Sequence, residues 1–246
     1  MKQSGNVILV TGGGSGIGMA LAQEFHRSGN TVIIAGRREA ALDEVAAAHP
    51  GMVAMTLNIA GAAGITAFAA RIASEHPGLN VLVNNAGIMR HEDRIDLETA
   101  EATITTNLLG PIRLTAALLP HLTAQLHSTI INVSSGLAFV PFIRTPTYCA
   151  TKAALHSWTV SLREQLRGSN VEVIEIIPPA VQTELTPGQS KSPRAMPLDA
   201  YIAETMDLLR REPTPPEICV ERTRFLSSVV NEALFGERLR MLNGFD

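Results

Sequence analysis

The stretch TPTYCATKAAL at residues 145–155 places Tyr148 and Lys152 four positions apart. On a helix that spacing puts two side chains on one face, about 5–6 Å apart, near enough for an ammonium to act on a phenol. A free phenol ionises near pH 10, roughly, which makes it a poor proton donor and a poorer base at pH 7. A positive neighbour favours the phenolate, so the pair has the chemistry of a tuned acid and base. The chain has only two tyrosines, so Tyr148 is not part of an aromatic-rich surface. The same spacing also describes a half-buried tyrosine beside a solvated lysine, and this stretch alone leaves both readings open.

A second group of residues has the chemistry of phosphate binding. TGGGSGIG (11–18) follows an apolar run and opens a helical pattern. Glycines there permit a tight turn and bring backbone N–H groups against a pyrophosphate, whose charge suits the positive end of the next helix. The spacing Gly12, Gly16, Gly18 is not G-x-G-x-x-G. The context carries the reading instead, because the turn follows a strand, opens a helix and heads a series of βα units. After the second apolar run comes AGRREA, with Arg37 and Arg38 where an acid usually meets a free ribose hydroxyl, and no acid until Glu39. Arginine forks suit the oxygens of a 2′-phosphate and stack on adenine. Two solvated arginines are the alternative, but cations are disfavoured at a helix start unless an anion is near. These residues point to NADP(H) rather than NAD(H).

The elements that must position these groups alternate along the chain. NVILV (6–10), TVIIA (31–35), MVAMTL (52–57), LNVLV (79–83), TIINV (129–133) and VEVIEII (171–177) suit strands buried on both faces. Segments 18–29, 39–49 and 65–76 have helical spacing between them. Such alternation predicts an α/β fold: a single-domain, Rossmann-type, doubly wound parallel sheet with helices on both faces over residues 1–246. The stretch from Pro178 to Pro197 contains five prolines and reads as a long mobile loop, with 183–197 as its substrate-facing part.

Composition narrows the function classes. The chain has 246 residues, 46% of them apolar and 17% charged, with net charge −3 and no basic stripe for nucleic acid. The short N-terminal apolar run breaks at glycines, and no segment reaches membrane-spanning length, so a cytoplasmic protein without a membrane partner is expected. Cys149 and Cys219 are isolated thiols expected to stay reduced, and the seven histidines show no ligand-spaced pair, so no metal is expected.

Five motifs in order resemble the short-chain dehydrogenases/reductases: TGGGSGIG, NNAG (84–87), Asn107 in TTNLLG, NVSS (132–135) and YCATK (148–152). The resemblance spans residues 6 to about 185. It implies that Tyr148 is the acid/base, that Lys152 tunes it and holds the nicotinamide ribose, and that Ser135 hydrogen-bonds the substrate oxygen. Asn107, in a helix after the fourth strand, would support a proton-relaying water; otherwise it is a helix-bending polar residue. Cofactor contacts carried over by position are Gly12, Gly14, Ser15, Gly16, Ile17 and Gly18 in the turn, and Arg37 and Arg38 at the second strand. Asn58 and Ile59 would meet the adenine, and Asn84, Ala86 and Gly87 the ribose side. Pro178, Val181 and Thr183 fall in PPAVQT, which resembles the family's Pro-Gly-x-Val-x-Thr with Pro179 in place of glycine, a change that fixes φ and removes an N–H.

Towards the C-terminus the resemblance fades. EICVE (217–221) suits a short last strand, and 221–246 a divergent helical segment whose apolar stripe is Phe225, Leu226, Val229, Val230 and Leu234. PPAVQTEL with this tail is similar to a DltE-like oxidoreductase branch. GLAFVPFIRTP (136–146) suggests an apolar wall and hence a hydrophobic ketone, aldehyde or alcohol, although its side chains could equally pack beneath a loop. The resemblance implies an NADP(H)-dependent carbonyl reductase or alcohol dehydrogenase, a homodimer or homotetramer acting on a small molecule. Alternatives are an NADP-binding sensor without turnover, or a non-redox reaction on the same scaffold.

Overall fold

The computed structural model describes residues 1–228 and 232–244. Seven parallel strands form one sheet in the order β3-β2-β1-β4-β5-β6-β7. They are β1 (Val7–Thr11), β2 (Thr31–Gly36), β3 (Val53–Thr56), β4 (Leu79–Asn84), β5 (Ser128–Val133), β6 (Val171–Ile176) and β7 (Glu217–Ile218). Val, Ile and Leu fill these strands because both faces are covered: every residue of β5 is buried, as are five of the six in β6. The chain runs outward from β1 to β3, then returns to the other side of β1 and runs outward again. The reversal lies between β1 and β4, where an open parallel sheet leaves a crevice at the carboxyl ends of its strands.

Helices cover both faces. One core packs α1 (Gly16–Arg27), α2 (Glu39–Ala47) and α7 (Leu198–Leu209) against the sheet, with Phe25, Leu42 and Tyr201 buried in it. The opposite core packs α3 (Ala62–Glu75), α5 (Gly110–Thr123) and α6 (Pro146–Gln165), with Phe68, Leu118 and Leu162 buried. α4 (Leu97–Ile104) begins at Asp96, whose carboxylate accepts from the N–H groups of Glu98 and Thr99.

Three local features differ from the sequence expectation. Asn107 lies in a π-helical turn, Thr105–Leu109, between α4 and α5 rather than inside a regular helix. The stretch 178–197 is organised: Gln182 N–H donates to Met196 O and Met196 N–H to Ala180 O, both at 2.8 Å, and Gln189 Nε2 donates to Val181 O at 2.7 Å. It contains a 3₁₀ turn at Gln189–Lys191 and a bridge between Val181 and Met196, and these cross-loop contacts between distant residues supply order that local sequence does not encode. The last strand covers only two residues of the 217–221 stretch, and α8 (Glu221–Ser227) begins directly after it. Of the anticipated C-terminal stripe, Leu226 is buried, Phe225 is exposed, and Leu234 lies on α9 (Glu232–Asn243). Val229 and Val230 fall outside the described residues.

Candidate active site

The carboxyl ends of β1 and β4 are fastened across the crevice by Thr11. Its hydroxyl accepts from the N–H groups of Asn85 at 3.0 Å and Ala86 at 3.1 Å, while Asn85 Nδ2 donates to Thr11 O at 2.9 Å. Gly12 then takes φ +70°, a conformation that side chains rarely tolerate. A Cβ on Gly18 would lie 2.3 Å from Asn85 Nδ2 and 2.4 Å from Gly12 O, so the first turn of α1 sits hard against the strand ends. α1 has neither a side-chain cap nor an acid in its first turn, which leaves its leading N–H groups for a ligand. Arg38 Nη2 donates to Ser15 Oγ at 2.8 Å, bringing a guanidinium over this turn.

One cleft of about 530 Å³ runs from there across the sheet. Gly12, Gly14, Ser15, Gly16, Ile17, Gly18, Arg37 and Arg38 line one end. Ile59, Ala86, Gly87, Ser135, Tyr148, Lys152, Pro178 and Val181 line the rest, and Thr183 stands against the glycine turn, its Cγ2 3.3 Å from where a Cβ on Gly16 would lie. Three anticipated residues are not part of this lining. Asn58 is exposed and accepts from Ala60 N–H. Asn84 is buried between strands, donating to Thr115 Oγ1 and Asn132 Oδ1, both at 2.9 Å. Asn107 is buried behind the wall: its Oδ1 accepts from Ile88 N–H and its Nδ2 donates to Ile88 O, both at 2.8 Å.

At the far end, β5 delivers Ser135 and α6 delivers Tyr148 and Lys152. Thr145 and Pro146 start α6, and the proline costs no hydrogen bond in a first turn. Tyr148 and Lys152 then fall on the face turned inward, 6% and 4% exposed. Lys152 Nζ donates to Val133 O at 2.7 Å and lies 5.6 Å from the centroid of the Tyr148 ring. Burial pushes the Lys152 ammonium down to about 8, with the Glu175 carboxylate opposing it. Burial also raises the Tyr148 phenol, partly countered by Ser135. The lowering expected from Lys152 together with an oxidised nicotinamide concerns the cofactor-bound site; in the protein alone, desolvation of the ring outweighs the hydrogen bond from Ser135.

Several lining residues escaped sequence reasoning. Ile88, Met89 and Arg90 follow NNAG directly, and Glu184, Leu185 and Gln189 follow Thr183. Their position after recognisable motifs was the available signal. The 136–146 segment does not line the cleft; Gly136 packs beside Thr223 and Leu226, and Phe139 packs on His156 with ring centroids 4.8 Å apart. Among the described residues, His156, Glu175 and Glu217 bring their polar atoms within 4.8 Å of one another outside the cleft, a cluster invisible to sequence spacing.

The family model described as short chain dehydrogenase matches residues 6–194. The DltE oxidoreductase of Bacillus subtilis is 44% identical over 189 residues, 75% of each chain. The NADP-dependent 3-hydroxy acid dehydrogenase YdfG of Escherichia coli K12 is 32% identical over 176 residues, covering 70% of this chain and 71% of that protein. A short chain dehydrogenase from Burkholderia cenocepacia, solved in complex with NADP, superposes with a TM-score of 0.84 at 25% identity, covering 97% of this chain and 99% of that one.

Proposed function

This chain belongs to the short chain dehydrogenase family, and from that premise we propose that it is an NADP(H)-dependent oxidoreductase interconverting a hydrophobic ketone or aldehyde and its alcohol. The observation that carries this reading is the continuity of one cleft from Arg37 and Arg38 to Ser135, Tyr148 and Lys152. The residues present fit the cofactor. The uncapped first turn of α1 offers N–H donors to a diphosphate, and the two arginines offer cations to a 2′-phosphate. Ser134 Oγ, buried at the cleft wall, has no hydrogen-bond partner among the described residues.

When bound, NADPH supplies the hydride that reduces the carbonyl carbon. Ser135 hydrogen-bonds the carbonyl oxygen and orients it towards Tyr148. The Tyr148 O–H breaks as the new alcohol O–H forms, and the Lys152 ammonium stabilises the phenolate left behind. Alcohol oxidation runs the same transfers in reverse. Pro178, Val181 and Thr183 would contact the cofactor from the loop after β6, and Asn107 acts through the Ile88 backbone it clamps. Ile88, Met89 and Leu185 give the substrate an apolar surface in place of the 136–146 wall. A second reading, a 3-hydroxy acid substrate, is favoured by Arg90 on the same lining, a cation suited to a carboxylate.

No described helix is long and apolar enough to cross a membrane, and a cytoplasmic enzyme completes the reading. Exposed Ile95 and Leu97, at the start of α4, support assembly into a homodimer or homotetramer. The test is NADPH absorbance loss with hydrophobic ketones, aldehydes and 3-keto acids, run beside NADH and a Tyr148→Phe variant. Turnover that prefers NADPH and drops by about 10²–10⁴-fold in the variant is the expected outcome. Cofactor binding without turnover across the panel would sink the reading.

A further inference from the structure

Tyr148, Lys152 and His156 succeed one another at intervals of four along α6, so they form one row on the inward face of that helix. Beneath the row, β6 contributes Glu175, which is fully buried. A carboxylate on a central strand is costly to bury unless it is paired. Its Oε2 lies 2.8 Å from His156 Nδ1, while its Oε1 has no hydrogen-bond partner among the described residues. The His156 side chain is 27% exposed, so this imidazole joins the buried carboxylate to solvent.

Lys152 is the next residue up the row and has no ion pair within 4 Å among the described residues. The charge that opposes its desolvation is that of Glu175. The other groups around the pair are few. β7 presents Glu217, and α6 presents Arg163 two turns beyond His156, its guanidinium donating to the carbonyls of Val173 and Pro216. β5 presents Asn132, in register with Glu175, and the turn after β5 presents Phe139; neither titrates.

Resting on the oxidoreductase reading of Tyr148 and Lys152, we propose that Glu175 and His156 form a positioning pair for Lys152. The buried carboxylate holds the lysine as an ammonium, and the imidazole, bonded to Oε2, fixes where that carboxylate stands. Neither residue touches the reacting atoms; both act through Lys152.

The chain has three lysines, Lys2, Lys152 and Lys191, which makes Lys152 separately readable. The pH dependence of its acylation by a small anhydride, which releases a carboxylate as the amide forms, followed by mass spectrometry, gives its midpoint, with the other two as internal references. The wild-type midpoint is expected near pH 8. The sign follows from the charge removed: Glu175→Gln deletes a negative neighbour, so the midpoint falls by about one unit or more while Lys2 and Lys191 hold. The alkaline limb of NADPH-driven reduction, where the ammonium is lost, moves down with it. An unmoved Lys152 midpoint in folded Glu175→Gln overturns the proposal.

His156→Gln keeps a hydrogen-bond donor for the carboxylate, so the Lys152 midpoint stays near the wild-type value. A fall in that variant also overturns the proposal, and this arm decides the matter if Glu175→Gln does not fold. A labelling shift in a protein that consumes no NADPH with any substrate leaves the pair standing and removes the oxidoreductase reading. Turnover with an unmoved midpoint does the reverse.

Discussion

Arg37 and Arg38 are exposed and stand at the end of β2, where nothing in the protein core requires a cation. Arg38 already reaches the glycine turn through Ser15, so its guanidinium stands beside the turn proposed to hold the cofactor. Removing it deletes a charge-assisted hydrogen bond, worth about 1.5–3 kcal/mol. Arg38→Ala is therefore expected to weaken NADPH binding roughly tenfold to a hundredfold, at about 1.4 kcal/mol per tenfold, and to leave NADH nearly unchanged. Fluorescence titration with both cofactors checks it; equal losses for the two would assign the arginine to the turn rather than to the phosphate. At the same scale, Tyr148 and Lys152 show how burial alters a pair that spacing alone describes. Their four-residue interval is local, whereas the lowering of the ammonium and the raising of the phenol come from desolvation by the packed molecule.

Elements hold these residues in place through a few buried polar fastenings. The π-helical turn at Thr105–Leu109 is the clearest, because its Asn107 amide satisfies both the N–H and the C=O of Ile88 in the cleft wall. Asn107→Leu strands both groups, each at a cost of about 1–3 kcal/mol where water cannot reach. The expected outcome is a thermal midpoint lowered by several degrees, at roughly 2–4 °C per kcal/mol for a chain of this size, together with reduced turnover from a displaced Ile88. A variant with unchanged melting and unchanged rate would show that the clamp has no part in the site. Pro179, in place of a glycine in the family pattern, borders the cleft where β6 gives way to the 178–197 loop. Backbone hydrogen bonds between Ala180, Gln182 and Met196 fix the path of that loop across the cleft.

At the scale of the whole molecule, the cleft lies between groups brought by the turn after β1, the end of β5, and α6, so a ligand spanning it ties separate parts of the fold together. NADPH bound only to the folded chain stabilises it by about 2.7 kcal/mol at a hundred times its dissociation constant. Thermal unfolding is expected to rise by roughly 5–10 °C under that condition, from the same 2–4 °C per kcal/mol, and by less with NADH at equal concentration. Absence of a shift with either cofactor would count against the cleft as a dinucleotide site.

The strand runs, the glycine turn and the order of the family motifs are local patterns, and they were enough to determine a doubly wound parallel sheet with its crevice beside β1. Periodicity encodes which face of a segment is buried, and glycine encodes where the backbone must bend, so both survive in a linear text. Tertiary structure decided what depends on residues far apart meeting. It moved Asn58, Asn84 and Asn107 off the cleft lining, gave the 178–197 stretch its cross-loop hydrogen bonds, and replaced the 136–146 wall with Ile88, Met89 and Leu185. It also set Glu175 of β6 against His156 of α6, nineteen residues apart in the chain. Desolvation and Coulomb energies are properties of the assembled interior, where a side chain's environment comes from elements that no spacing rule connects.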